Sequence, residues 1–390
     1  MNDENYKELI YEINKDIPVK KEVSQDNETI DMLEFGGYSL REYLHPYWKS
    51  GLMINESLMM YSTDGKSPVA RLLNVPSRFI SLRNSFLDTI YEEGKDFTIS
   101  DDLIYLTKGS RAAYVTDHDF YTAEPGKGAA RSASRDSFLM LQPKNRRCMH
   151  ELQLAVTYLH NTESFADYTA PVFASEFLPA TISKLTQGKS LKIVLYGDSI
   201  AAGANSSGFD RLPPFLPTWS SLLEARLRLE YKRSDINVNN PSQGGKSSDW
   251  GRDNAKELAA KQVPDLVIIA FGMGDAHTIN NFEPEFTKAN ISSIIDDVRA
   301  LSPEAEFILV TPMMANPEAK GFSGRQAEYT AAMFELQGKG VAVADVNSIH
   351  KIILDKKGFL SIGGNNANHP NDFVVRLYAQ VVLSLIIEDL

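Results

Sequence analysis

The sequence predicts an α/β protein in which a mainly antiparallel β domain precedes a three-layer α/β/α domain built on a parallel sheet. Before residue 185, segments rich in β-branched and aromatic residues are separated by turn formers about eight residues apart, which is typical of a β-sandwich. After residue 185, apolar runs alternate with helical patterns. The 390 residues also exceed what one small core holds. We therefore predict an N-terminal helical or irregular segment (1–50), a β-sandwich domain (51–185) and an α/β domain (186–390).

Apolar runs after residue 185 predict the strands of the parallel sheet. They are LKIVLYG (191–197), INVNN (236–240), DLVIIAFG (265–272), EFILVTP (306–312) and VAVADV (341–346). Helical patterns separate them and cover residues 217–233, 250–262, 284–302 and 324–339, and a last helix begins near residue 370. Crossover helices cover both faces of such a sheet, and ligands bind at the carboxyl ends of its strands. Functional residues are therefore expected at these strand ends.

Composition argues against several classes of function. A formal net charge of −11 disfavours binding to nucleic acids or anionic membranes. No segment approaches the ~20 apolar residues of a membrane span, and the charged N-terminus lacks the apolar core of a secretory signal. The single cysteine, Cys148, permits a reducing compartment, so we expect a cytoplasmic protein. The histidines have no metal-ligand spacing, and we expect no metal and no cofactor.

A serine, two glycine-rich turns and a histidine follow the predicted strands. Ser199 comes directly after the first strand, Gly244 and Gly245 follow the second, and FGMGDAH follows the third. His369 precedes the final helix. Acyl transfer requires a nucleophile, a base to accept its proton, and N–H donors for the oxyanion. The sequence therefore predicts an acyl-transfer site at this edge.

The order of these motifs resembles the SGNH, or GDSL-type, hydrolase superfamily across residues 186–390. VLYGDSIAAG is the most specific block, and N-x4-G-x-S, G-x-x-D and H-P follow in order. The resemblance implies that Ser199 is the nucleophile and that its own N–H donates to the oxyanion. It implies that Gly245 supplies a second N–H, that Gly274 occupies the third oxyanion position, and that His369 is the general base.

The sequence departs from the family pattern at two positions. Gly274 stands where the family has an asparagine that donates to the oxyanion, so we expect Gly274→Asn to raise kcat about tenfold or more. If it does not, His277 is the first candidate for the third donor. Asn366 stands where the triad acid is usual, and we expect Asn366, a backbone carbonyl or an acid from elsewhere to hold His369. Asp275 and Asp345 are the candidate acids, and some esterases of the superfamily use a Ser-His dyad.

These features favour a serine esterase that removes short acyl groups from a carbohydrate, and acetyl is the acyl group we expect. A β-sandwich ahead of this domain resembles carbohydrate esterases with an N-terminal jelly roll, and Trp219 or Phe215 could stack on a sugar ring. The alternatives are a glycan-binding protein on an inactive hydrolase scaffold and a lipase or thioesterase of the same superfamily. The expected partner is a small-molecule or oligosaccharide ester, and the sequence leaves a homo-oligomer open.

Overall fold

The computed structural model describes residues 37–390, except residues 64, 125–127, 145–147 and 162. Most of the predicted N-terminal segment (1–50) therefore lies outside the described residues. Its described end contains helix α1 (Leu40–Tyr43), which begins with a capping box between Ser39 and Glu42. The oxygen of a capping serine satisfies an N–H that a helix terminus leaves unpaired, which explains why the helix begins there.

The N-terminal domain is built from short antiparallel strands, as predicted. They are β1 (Leu52–Met59), β2 (Val69–Arg71), β3 (Pro76–Asn84), β4 (Ile90–Tyr91), β5 (Phe97–Ser100), β6 (Leu103–Leu106), β7 (Tyr121–Thr122), β8 (Ala129–Ser132), β9 (Phe138–Met140) and β10 (Gln153–His160). One sheet has the order β1-β10-β3-β4 and a smaller one the order β2-β6-β5, with antiparallel pairing in both. The jelly-roll arrangement stays a prediction.

The C-terminal domain contains the predicted parallel sheet. Its strands are β11 (Leu191–Gly197), β12 (Ile236–Asn239), β13 (Leu266–Ala270), β14 (Glu306–Val310) and β16 (Val341–Ala344), and the short β15 (Ala319–Lys320) lies outside it. The sheet order is β12-β11-β13-β14-β16, and each neighbouring pair is parallel. This order confirms the predicted α/β class.

Helices cover both faces of this sheet. The α-helices after α1 are α2 (Asp117–Phe120), α3 (Pro179–Thr186), α4 (Ser199–Ala202), α5 (Trp219–Glu230), α6 (Ser248–Leu258), α7 (Pro284–Leu301), α8 (Gln326–Phe334), α9 (Val346–Lys357) and α10 (Asp372–Ile386). Short 3-10 helices span Met149–Leu152, Glu163–Phe165, Ala260–Gln262 and Phe359–Ser361. Ile193 and Leu195 pack with α5, α9 and α10, whereas Val194 and Tyr196 pack with α6 and α7. Successive strand residues point to opposite faces, so the fully apolar strands lie between two helical layers.

The two domains share a core and a sheet. Tyr47 stacks on Phe373 of α10 with ring centroids 4.6 Å apart, and its hydroxyl donates to the Phe373 carbonyl at 2.7 Å. Strand β15 pairs with β8, which places a segment of the C-terminal domain at the edge of the sheet β15-β8-β9-β7. The domain boundary near residue 185 stays a prediction, and helix α3 crosses it.

Candidate active site

Ser199 begins helix α4 directly beyond the carboxyl end of β11. The buried side chain of Asp198 caps this helix by accepting the N–H of Ile200 at 2.9 Å, and burial raises the pKa of Asp198 to about 7. Asn240, in the loop after β12, donates to the carbonyl of Ala201 at 2.8 Å. Asp198 thus orders the turn, and Asn240 fixes the short helix from the neighbouring strand end.

His369 reaches Ser199 from a loop organised by one asparagine side chain. The Oδ1 atom of Asn365 accepts the N–H groups of Ala367, Asn368 and His369 at 3.0, 2.8 and 3.1 Å. This loop places His369 Nε2 2.8 Å from Ser199 Oγ, which is within hydrogen-bonding distance. Burial lowers the pKa of His369 to about 4, so the imidazole is neutral at pH 7 and able to accept a proton.

The other nitrogen of His369 is held by Asn205, not by Asn366. His369 Nδ1 lies 2.7 Å from Asn205 Oδ1, in the loop that follows α4. Asn366 is buried and is engaged elsewhere: its Oδ1 accepts from Asn316 at 2.8 Å, and its Nδ2 donates to the Met140 carbonyl at 3.2 Å. The expectation that Asn366 orients the base is therefore wrong, because its amide links the His369 loop to the N-terminal domain.

The candidate replacement acids also have other partners. Asp275 is fully buried and accepts the Ser248 N–H at 3.0 Å and the Thr287 hydroxyl at 2.8 Å, which ties α6 to α7. Asp345 caps α9 by accepting the N–H and the hydroxyl of Ser348 at 3.1 and 2.6 Å. Both carboxylates are structural, and His369 Nδ1 faces an amide.

Gly245 and Gly274, two of the predicted oxyanion positions, differ in whether the surrounding backbone leaves space for a side chain. Gly245 lines the same cavity as Ser199, has φ +71°, and would place an added Cβ in open space. Gly274 lines that cavity too, but a Cβ there would lie 2.3 Å from the Lys246 carbonyl oxygen. The expectation that Gly274→Asn adds a useful donor is therefore undermined, because the Lys246–Ser247 backbone packs directly on Gly274.

A cavity of about 340 Å³ opens beside Ser199. Its lining is Asp198, Ser199, Gly245, Lys246, Met273, Gly274, His277, Ile279, Asn280, Phe322 and Asn368. His277 Nδ1 accepts the Ile279 N–H at 3.2 Å, so the ring's N–H hydrogen lies on Nε2. Its ring packs edge-on against Phe322, with centroids 5.3 Å apart. His277 thus offers the cavity an N–H donor held in one tautomer.

The two aromatic candidates for sugar stacking lie in different environments. Trp219 is fully buried and donates its indole N–H to the Ile200 carbonyl at 2.9 Å, so the expectation that it stacks on a sugar is wrong. Phe215 is 61% exposed, and a role in sugar binding stays a prediction for it.

Sequence reasoning missed Asn205 because its contact joins residues far apart in the chain. The available signal was a polar side chain in the loop that directly follows α4, at the same strand end as Ser199. Within the part of the chain that the structure describes, no group of three His, Cys, Asp or Glu residues is arranged to hold a metal ion. Among those residues, too, no helix is long and apolar enough to cross a membrane.

One family model and one curated relative match parts of this chain. Residues 195–375 match the model of the GDSL-like lipase/acylhydrolase family, which confirms the resemblance to the SGNH superfamily for the C-terminal domain. An arylesterase of Vibrio mimicus is 31% identical over 110 residues, which are 28% of this chain and 50% of the arylesterase. The chain thus spans about half the length of the curated relative it matches.

Solved structures resemble the chain more distantly. A two-domain esterase described as active on acetylated mannans is 18% identical, with a TM-score of 0.43 over 54% of this chain and 53% of its own. A catalytic mutant of an acetylxylan esterase from Geobacillus stearothermophilus is also 18% identical, with a TM-score of 0.41 over 50% of this chain and 94% of its own. Both likenesses are distant.

Proposed function

We propose that this protein is a serine esterase that hydrolyses short-chain esters, with Ser199 as nucleophile and His369 as general base. The observation that carries the proposal is the 2.8 Å contact between Ser199 Oγ and His369 Nε2, together with the cavity that Ser199 lines. A nucleophile within hydrogen-bonding distance of a base that is itself oriented by a third group is the arrangement that activates a hydroxyl for acyl transfer.

The geometry supports a two-step mechanism. Ser199 Oγ attacks the ester carbonyl carbon while His369 Nε2 accepts the hydroxyl proton, and the carbonyl oxygen becomes an oxyanion. The backbone N–H groups of Ser199 and Gly245 are the proposed donors to that oxyanion. The intermediate expels the alcohol, which takes the proton from His369. A water molecule, activated by the same imidazole, then releases the acid and regenerates Ser199.

The size and lining of the cavity favour a small acyl group on a polar alcohol. Ligand cavities typically have volumes of about 300–1,000 Å³, and this one, at about 340 Å³, must admit both halves of the ester. Lys246, His277, Asn280 and Asn368 give its wall hydrogen-bonding groups beside the apolar Phe322. We therefore propose an acetyl ester of a sugar hydroxyl as the substrate class.

Hydrolysis of p-nitrophenyl esters of increasing chain length tests the ester class. We expect the highest kcat/KM for acetate, a steep decline beyond butyrate, and loss of turnover in Ser199→Ala. A second assay tests which alcohol the substrate ester carries. It compares the rate of acetate release from acetylated oligosaccharides with the rate from phenyl acetate, an aryl ester. A fluorophosphonate probe should label Ser199, and labelling elsewhere would contradict the proposal.

A second function, glycan binding without turnover, is favoured by one observation. Gly274 provides no side-chain donor at the third oxyanion position, and the Lys246 backbone leaves no space for one. Calorimetric titration of Ser199→Ala with deacetylated and acetylated oligosaccharides distinguishes the two functions. Binding without turnover in the unmodified protein would support the second function.

A further inference from the structure

A chain of hydrogen bonds continues from the candidate base to a carboxylate. His369 Nδ1 contacts Asn205 Oδ1 at 2.7 Å, and Asn205 Nδ2 donates to Asp210 Oδ2 at 2.9 Å. Together with the contact between Ser199 and His369, four side chains form one continuous path. Ser199, Asn205 and Asp210 all come from the segment that follows β11.

The chemistry of these groups fixes the position of each hydrogen. A carboxylate only accepts hydrogen bonds, so the Asn205 atom that faces Asp210 must be the amide nitrogen. The amide oxygen then faces His369, and since it also only accepts, His369 Nδ1 must carry the hydrogen. A neutral imidazole protonated at Nδ1 has its lone pair on Nε2, the atom that faces Ser199.

We propose that Asn205 and Asp210 are positioning residues that together replace the missing triad acid, with Asp210 fixing the Asn205 amide and Asn205 fixing the tautomer of His369. This inference rests on the proposed function, because it assigns the two residues to the orientation of that function's base. Neither residue touches the reacting atoms, and both act through His369.

The backbone holds Asn205 in a conformation suited to this position. Asn205 has φ +65°, in the left-handed region that asparagine tolerates better than most residues. Gly364, in the loop that carries His369, packs so closely that a Cβ on it would lie 2.6 Å from Asn205 Cβ. The Asp210 N–H donates to the Ser206 carbonyl at 2.9 Å, which folds the loop so that the carboxylate faces the amide.

The charged groups around this path show how Asp210 acts. Asp210 is exposed, so solvent screens its charge and its main effect is the directed hydrogen bond to Asn205. Asp372, at the start of α10, accepts the Ser207 N–H at 2.8 Å and interacts electrostatically with His150 and Asp210. Arg211, the next residue in the chain, is a further charged group beside Asp210. Burial alone lowers the pKa of His369, so neither of these charges contributes to that shift.

The tautomer of His369 provides a test that does not depend on turnover. In protein labelled with 15N-histidine, with His369→Gln to assign the signal, the His369 ring should be neutral at pH 7 and protonated at Nδ1. Asp210→Ala frees the Asn205 amide to rotate, and we expect the Nδ1–H population to fall. Asp210→Asn keeps an acceptor and should preserve that population, as should Asp167→Ala at an exposed aspartate outside the path. An unchanged tautomer in Asp210→Ala overturns the proposal.

Kinetics test the same assignment through the base. We expect Asp210→Ala to lower kcat about tenfold or more with little change in KM, the scale of one hydrogen bond to a charged group. The double variant Asn205→Asp/Asp210→Asn moves the carboxylate next to His369. It should shift the acid limb of kcat/KM upward from about pH 4, by roughly 1–3 units. If the acid limb of the kcat/KM profile does not shift in the double variant, the proposed role of Asn205 is contradicted. If the fluorophosphonate probe fails to label Ser199 in the unmodified protein, only the proposed function is contradicted.

Discussion

Gly274 allows a quantitative test of how the loop that carries the proposed oxyanion donor Gly245 is built. A Cβ at this position would lie 2.3 Å from the Lys246 carbonyl oxygen and 3.2 Å from Ser247 Cα. The first distance is roughly 1 Å shorter than an ordinary van der Waals contact, so the Lys246–Ser247 backbone must move. Because the clash is with backbone, Gly274→Ala should cost about 1–3 kcal/mol of the free energy of unfolding.

The same displacement should reduce turnover. The segment that must move carries Gly245, whose N–H is the proposed second oxyanion donor, and a shift of about 1 Å in a catalytic group can cost up to ~100-fold in rate. We therefore expect Gly274→Ala and Gly274→Asn to lower kcat for p-nitrophenyl acetate by about 10- to 100-fold and to lower Tm by several degrees.

Two other glycines are the controls for this experiment. Gly338→Ala adds a Cβ that meets nothing within 4 Å at an ordinary φ, so Tm and kcat should not change. Gly245→Ala also meets nothing within 4 Å, but its φ of +71° should cost about 1–2 kcal/mol without displacing the Lys246 backbone. A Gly274→Asn variant as stable as the unmodified protein and equally or more active would refute the reasoning.

Three further predictions follow from the titrating and buried groups. Because burial lowers the pKa of His369 to about 4 and catalysis requires its neutral form, kcat/KM should stay constant as the pH falls to about 5; a midpoint near the ordinary value of about 6.5 would contradict this. His277→Phe keeps the ring against Phe322 but removes the Nε2–H and the Nδ1 acceptor of the exposed Ile279 N–H, and should lower kcat about tenfold with little change in Tm; unchanged kcat would exclude His277 as an oxyanion donor. Lys357→Met leaves the fully buried Glu56 without its cation and should lower the free energy of unfolding by about 3–5 kcal/mol. Adding Glu56→Gln should restore part of the lost stability, as measured by thermal unfolding.

The fold of the C-terminal domain could be predicted because strands such as β13 and β16 are buried on both faces. Such strands are apolar at every position, as in Leu266–Ala270, and they stand out between amphipathic segments. Helix α9 escaped prediction because the apolar segment 341–346 is interrupted by one residue only, Asp345, which ends the strand and caps the helix that begins at Val346. Strand β15 escaped because two residues form a strand only through their pairing with β8.

The positions of candidate site residues could be predicted where they depend only on the order of strands along the chain. They could not be predicted where they depend on a tertiary contact between loops. Ser199 and Gly245 follow strands, so the parallel topology alone brings them to one edge of the sheet. The partner of His369 Nδ1 depends on how two loops pack. Asn366 was predicted from its sequence distance to His369, but its side chain faces the N-terminal domain, which no spacing rule encodes.

The contact with Asn205 explains how His369, the proposed base, can keep the reactive tautomer without the usual acid. A buried carboxylate next to His369 would favour the protonated imidazole and raise its pKa, whereas an amide oxygen accepts the Nδ1 hydrogen without adding charge. The imidazole therefore keeps the low pKa that burial imposes, near 4, and remains a free base over a wider acidic range. The cost is a weaker stabilisation of the imidazolium that forms during attack. An esterase built this way should be slower at neutral pH than one with an acid at position 205, and relatively more active below pH 6.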